Sequence, residues 1–328
     1  MGAPTDPEHL RWQGEPLPLR PEQVDRIIDG EGRHVPLPAP FAGSWWRPLG
    51  LTGGEDRQRP AIMAILNATP DSFSDGGSID PSTSRGLAAA LRRAESALAE
   101  GAEILDVGGE STRPGAAVVD EAEERRRVVS LIEGLSRRGL GPVSIDTRKA
   151  AVARAALEAG AAMVNDVSAG GDPAMFPLVA EAGCPIVLMH MRGEPGTMQR
   201  HPEYDDVVMQ VGEYLSQRRA LALAAGITSD RILVDPGIGF GKRLEHNLAL
   251  LRQVHLLRQL GPVLLGVSRK RMLGELLGID EPLRRDLATA VVSTHAMRVG
   301  VAVVRVHDVR GSQQALALIE AMESMGYL

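Results

Sequence analysis

From residue 60 onward, short apolar runs alternate with longer segments whose apolar residues recur at helical spacing. Nothing else in the 328-residue chain constrains its fold as strongly. Eight runs read as strands, at 61–66, 103–107, 143–146, 163–166, 186–190, 232–235, 263–266 and 301–306. They lack the apolar–polar alternation of a sheet with one wet face, so each must be covered on both sides, which points to parallel pairing. Between them, sets such as Leu87, Leu91, Ala94 and Leu98, or Val128, Leu131, Ile132 and Leu135, describe one buried face of a helix. Gly101, Gly139, Gly160, Gly183 and Gly226 stand where those helices should stop. Eight strand–helix units within residues 60–328 predict an α/β fold, a (β/α)8 TIM barrel. A doubly wound open sheet is the alternative.

Residues 1–59 read differently and are expected to form an N-terminal extension to the barrel. Ten of the 22 prolines and all three tryptophans, Trp12, Trp45 and Trp46, fall in residues 1–60. Such proline density interrupts backbone hydrogen bonding, so residues 1–30 should be mostly irregular. Around Trp45–Leu51, exposed indoles would be costly, so this part should pack on the barrel, as cladding or as a plug at one end.

Charge and cysteine content exclude several functions. The formal net charge is −6 with no basic run, which makes nucleic acid an unsuitable main partner. No apolar stretch reaches the ~18 residues of a membrane span, and the first 30 residues lack the basic and apolar regions of a secretory signal. A cytoplasmic protein is expected. The single cysteine, Cys184, precludes an intramolecular disulfide and a multi-cysteine zinc site.

The polar, glycine-rich clusters all follow strands. They are 67–77 (NATPDSFSDGG), 108–115 (GGESTRPG), Asp146-Thr147-Arg148, Asn165-Asp166, His190-Met191-Arg192, 235–242 (DPGIGFGK), Ser268-Arg269-Lys270 and 305–308 (RVHD). The opposite connections are short Gly-Pro or Ala-Gly turns. This asymmetry marks the C-terminal rim of the barrel, where such folds build their sites. Carboxylates and amides there can read a polar heterocycle, and Arg113, Arg148, Lys270, Arg305 and His307 can hold phosphate or carboxylate. Phe73 and Phe240 either anchor their loops or cover a flat ligand. Arg305 and His307 could instead pair with Asp308, and Asp235 could be a loop brace.

Three tempting motifs fail. GIGFGK at 237–242 lacks the spacing and the following Ser/Thr of a phosphate loop. The sequon at Asn67 is followed by Pro70, with no secretory signal. His190, His201, His246 and His295 have no metal-ligand spacing.

Taken together, NATPDSFSDGG at 67–77, DVGGESTRPG at 106–115, SIDT at 144–147, NDVS at 165–168, DPGIGFGK at 235–242, SRK at 268–270 and RVHD at 305–308 resemble the dihydropteroate synthase family. The match runs from about Ala61 to the C-terminus, and residues 1–55 lie outside it. The resemblance implies a transferase of folate biosynthesis and a sulfonamide target. It would join p-aminobenzoate to 6-hydroxymethyl-7,8-dihydropterin diphosphate, releasing pyrophosphate. It further implies that Asp235, Asn165, Asp146 and Lys270 read the pterin, and that Asn67, Arg305, His307 and Mg2+ act on the diphosphate, with Asn67 as metal ligand. Asp146 would also stabilise a cation-like pterin methylene. Ser268, with the helix after it, would take the p-aminobenzoate carboxylate, and Phe73, Thr112, Arg113, Pro114 and Phe240 would close around its ring. A homodimer is expected from the same resemblance; the run 291–297 could serve as interface or as core. Two alternatives are a corrinoid-linked methyltetrahydrofolate methyltransferase, which has no use for a diphosphate cradle, and a non-catalytic paralogue.

Overall fold

A computed structural model describes residues 26–28, 34–36, 45–51, 57–68, 83–111, 119–194, 196–199 and 202–325. Eight strands form one parallel sheet: β1 (Ala61–Asn67), β2 (Ile104–Gly108), β3 (Val143–Asp146), β4 (Met163–Asp166), β5 (Ile186–Met189), β6 (Ile232–Asp235), β7 (Leu264–Leu265) and β8 (Val303–Val306). Their spatial order is β6-β5-β4-β3-β2-β1-β8-β7. A parallel bridge from Val234 to Val263 links the two ends and closes the ring. The expected TIM barrel is therefore the observed one, and the open-sheet alternative is set aside. β7 and β8 are shorter than their apolar runs, because the ladder ends sooner than the hydrophobic pattern does.

Around the barrel lie α1 (Ser84–Ala99), α2 (Glu121–Arg137), α3 (Ala150–Glu158), α4 (Met175–Ala182), α5 (Val207–Ala224), α6 (Leu244–Gln253), α7 (Arg271–Leu277), α8 (Asp286–Arg298) and α9 (Val309–Ser324). Side-chain caps fix several starts. Thr83 accepts from the Gly86 amide, Asp120 from Glu123 and Asp308 from Gly311. α4 ends where Gly183 turns left-handed at φ 62°. Val128, Leu131, Ile132 and Leu135 are fully buried, as their spacing predicts. Each such side chain contributes about 1.5–3 kcal/mol through burial.

The barrel interior has two layers. Met63, Ile104, Met163, Val187, Leu233, Leu264 and Val303 form an apolar floor. Because successive side chains alternate across a strand, the residue two positions later faces the same way. Above Ile104, Met163, Leu233 and Val303 therefore stand Asp106, Asn165, Asp235 and Arg305. At the other end of the floor, Trp45, Leu49 and Leu51 pack into the same cluster. A short antiparallel ribbon pairs Arg26–Ile28 with His34–Pro36, within and beside the stretch expected to be irregular. Cys184 is buried at the entrance to β5, where burial raises its thiol to about 11. Among the described residues, no helix is long and apolar enough to cross a membrane.

Candidate active site

The polar layer opens into a rim cavity of about 690 Å³. Asn67, Asp146, Asn165, Asp235, Phe240, Ser268, Lys270, Arg305 and His307 all line it. Phe73, Thr112, Arg113 and Pro114 lie outside the described residues.

Arg305 organises one half. Its Nε donates to Asp106 Oδ2 at 2.6 Å and its NH2 group to Asp146 Oδ2 at 2.7 Å. Asn165 Nδ2 donates to the same Asp106 oxygen at 3.1 Å. Asp106 is fully buried, and its Oδ1 has no hydrogen-bond partner among the described residues. The pairing of Arg305 with Asp308 is not formed here: Asp308 caps α9. Burial raises the Asp146 carboxyl to about 7, against the pull of Arg305. Asp146 thus sits near its own titration at neutral pH.

Asp235 and Lys270 form the other half. The Gly237 amide donates to Asp235 Oδ1 at 2.7 Å and fixes the carboxylate. That turn requires glycine: Gly237 has φ 65°, and a Cβ there would come 1.9 Å from the His190 carbonyl oxygen. A Cβ at Gly266 would stand 3.9 Å from Lys270 Nζ and 4.0 Å from Asp235 Oδ2, so ammonium and carboxylate face one small space. Burial pushes Asp235 up and Lys270 down to about 8, each opposed by the other's charge. Lys270 also donates to the Ile238 carbonyl and lies 4.6 Å from the Phe240 ring centroid.

Lys242 closes the DPGIGFGK string, whose GIGFGK portion lacks the spacing of a phosphate loop. It is buried, and its Nζ holds that loop together. Nζ donates to the Gly237 and Phe240 carbonyls at 2.9 and 3.0 Å and contacts His190 Nδ1 at 2.8 Å. Burial lowers both Lys242 and His190, the latter to about 3, so His190 is a neutral partner. His190 thus meets the 237–242 loop as a hydrogen-bond partner of Lys242. Ser268 holds His307: its Oγ accepts from the His307 amide at 3.0 Å and meets ring Nδ1 at 2.9 Å. Glu110 and Lys149 join the two sides of the 112–118 interval. Glu110 Oε1 accepts from the Val119 amide at 3.0 Å, while Lys149 Nζ reaches the Val119 carbonyl at 2.7 Å and Glu110 Oε2 at 3.1 Å. Arg148 pairs with Glu110 and Glu194. Arg271 lines the cavity too, although its place after the SRK string gave no separate signal.

This arrangement can bind a flat, donor-rich heterocycle on the Asp235–Asn165 side and an anion beside Arg305, His307 and Asn67. Among the described residues, no group of three or more His, Cys, Asp or Glu side chains could hold a metal. The donor set still fits a hard cation carried in by a polyanion, with Asn67 adding one amide oxygen.

A family described as pterin binding enzyme matches residues 63–307. The dihydropteroate synthase of Escherichia coli K12 is 43% identical over 269 residues, covering 81% of this chain and 93% of that protein. That of Synechocystis is 42% identical over 303 residues, covering 92% and 99%. A structure of the Xanthomonas albilineans synthase with 4-aminobenzoic acid aligns with TM-score 0.75 at 44% identity, covering 81% of this chain and 94% of that one. Another, in complex with 7,8-dihydropteroate, gives 0.73 at 42% identity over the same shares.

Proposed function

The chain belongs to the pterin binding enzyme family, and on that premise we propose that its rim joins p-aminobenzoate to 6-hydroxymethyl-7,8-dihydropterin diphosphate. The chain is a transferase of the dihydropteroate synthase type. The observation that carries the residue-level reading is the pairing of two unlike half-sites in one cavity: a fixed Asp235 carboxylate facing Lys270, and an Arg305 guanidinium held between two buried carboxylates.

In this reading Asp235 accepts two parallel N–H bonds from the aminopyrimidinone edge. Asn165 and Asp146 take the remaining ring donors, and Lys270 donates to the ring oxygen and nitrogen. Analogues that leave these buried groups unpaired are rejected. The carbon–oxygen bond to diphosphate then breaks. Arg305, His307 and Asn67 stabilise the charge on the departing oxygen, and Asp146 stabilises the positive pterin methylene. The neutral aryl amine attacks that carbon, forms the carbon–nitrogen bond and releases a proton. No strong base is required. Mg2+, bound through Asn67 and the diphosphate oxygens, would supply Lewis-acid neutralisation of the leaving group.

The aryl substrate is held by Phe240 and by Phe73, Thr112, Arg113 and Pro114 in this proposal. Ser268 contributes through the segment it belongs to, since its hydroxyl already engages His307. The pocket is completed after the pterin substrate binds, so binding is ordered; tight p-aminobenzoate binding without pterin or pyrophosphate contradicts this. Residues 1–59 act as an extension whose Trp45 end plugs the barrel. The enzyme works in the cytoplasm, without nucleic acid or a membrane. It pairs as a homodimer through Leu283, Leu287 and Val291, which are 60%, 78% and 60% exposed, whereas Ala296 and Met297 of the same run are core. Sedimentation of a Leu287→Glu variant tests the dimer. Incubating the purified chain with both substrates and Mg2+ tests the reaction: dihydropteroate must accumulate, and its absence refutes the proposal.

A further inference from the structure

Arg269 takes a left-handed backbone, φ 57°, between two residues of the site, Ser268 and Lys270. That conformation crowds a side chain and persists only where neighbours over-determine it. Four contacts from one side do so. Arg269 Nε and NH2 fork onto Asp286 Oδ1 and Oδ2 at 2.6 and 2.7 Å. The Arg269 amide donates to Thr289 Oγ1 at 3.2 Å, and its carbonyl accepts from Arg285 NH1 at 3.0 Å. Arg285 is itself buried and anchored to the Ile279 carbonyl at 2.9 Å. Asp286 and Thr289 stand in the first turn of α8 and Arg285 just before it; of the three, only Arg285 lines the cavity.

We propose that Asp286 is a positioning residue, which holds Arg269 left-handed so that Ser268 and Lys270 are presented together to the cavity. The left-handed turn sets the direction of the two flanking side chains: Ser268 reaches His307, and Lys270 reaches the space shared with Asp235. Without the fork, the backbone relaxes toward negative φ and the two side chains part. This rests on the reading of Ser268 and Lys270 as ligand-facing residues, and it extends that reading to Asp286, which does not line the cavity.

The test separates a backbone role from an ordinary surface ion pair. Asp286→Ala, Arg269→Ala and Arg269→Gly all remove the fork, but only glycine adopts positive φ without steric cost. In the full-length protein, Asp286→Ala and Arg269→Ala should lower kcat/KM for p-aminobenzoate about tenfold, and Arg269→Gly should recover most of that loss. The His307 ring resonance, which needs no substrate, should shift in both alanine variants and return toward wild type in the glycine one. Equal behaviour of Arg269→Ala and Arg269→Gly, or an Asp286→Ala protein with unchanged kinetics and His307 resonance, overturns the proposal. If the wild-type chain makes no dihydropteroate, the functional reading fails, while the resonance still decides the backbone role.

Discussion

Arg305 lies in the barrel interior with its NH2 group 2.7 Å from Asp146 Oδ2, across strands 159 residues apart in sequence. The same guanidinium holds Asp106, so one cation bridges two buried carboxyl groups and still lines the cavity. Removing it affects both stability and catalysis. Arg305→Ala leaves a buried carboxylate pair without its counter-charge, at a cost of about 3–5 kcal/mol. Thermal melting should fall accordingly. The protein that remains folded at low temperature should turn over slowly, with the defect greatest toward the diphosphate substrate. An unchanged rate removes Arg305 from the diphosphate site.

Asp235 is tested by truncation too, which leaves the Gly237 amide and Lys270 without their shared carboxylate. Asp235→Ala should lower turnover by about 10²–10³, the effect of losing one buried directional partner. Steady-state product formation measures it, and near-normal rates contradict the pterin assignment.

Burial shifts one group in each half toward neutrality, Asp146 upward and Lys270 downward, so activity and stability should depend on pH in opposite ways. Native Asp146 releases its proton near about 7, while the unfolded chain does so near 3.8. Its contribution to stability is complete below the unfolded value and is lost as pH rises through about 7. Lys270 runs the other way: its contribution is complete above 10.5 and is lost as pH falls through about 8. Between these values both groups are charged, which costs stability and serves binding. The pH profile of kcat/KM should show an acid limb near 7 and an alkaline limb near 8. Melting temperature should dip in the same interval. A profile flat from about pH 5 to about pH 9 contradicts the assignment of both groups.

At the far end of the barrel, Trp45 is fully buried against Met63, Ile104, Met163 and their neighbours. Trp45→Ala should cost about 3–5 kcal/mol, the range for truncating a core aromatic. Denaturant unfolding measures that loss. kcat should be retained below the melting range, because the apolar floor separates Trp45 from the polar layer.

The barrel was legible because its strands are largely apolar on both faces and helices such as α1 and α2 keep a clear helical period, although α5 and α8 do not. The rim was legible because every polar cluster follows a strand. Pairings across the interior were not: nothing in the order Asp106, Asp146, Arg305 says that the third residue bridges the first two, since only the pairing of the last strand, β8, with the first, β1, brings Arg305 near β2 and β3. A two-residue offset could have found them, as Ile104 and Asp106, or Val303 and Arg305, already face one way by strand alternation. The role of Lys242 was hidden by its motif, because a lysine after a glycine-rich loop suggests a phosphate ligand, and this one instead binds its own loop. The left-handed backbone of Arg269 carried no signal, although the residue belongs to the SRK string. A left-handed arginine is imposed by contacts from α8, and local sequence preference runs against it.

The most direct measurement is a crystal structure of the chain with a bound pterin. The account predicts the aminopyrimidinone edge within about 3 Å of the Asp235 carboxylate oxygens, with the methylene side directed toward Arg305 and His307. A pterin bound away from this cavity, or bound in it with Asp235 out of reach, would contradict it.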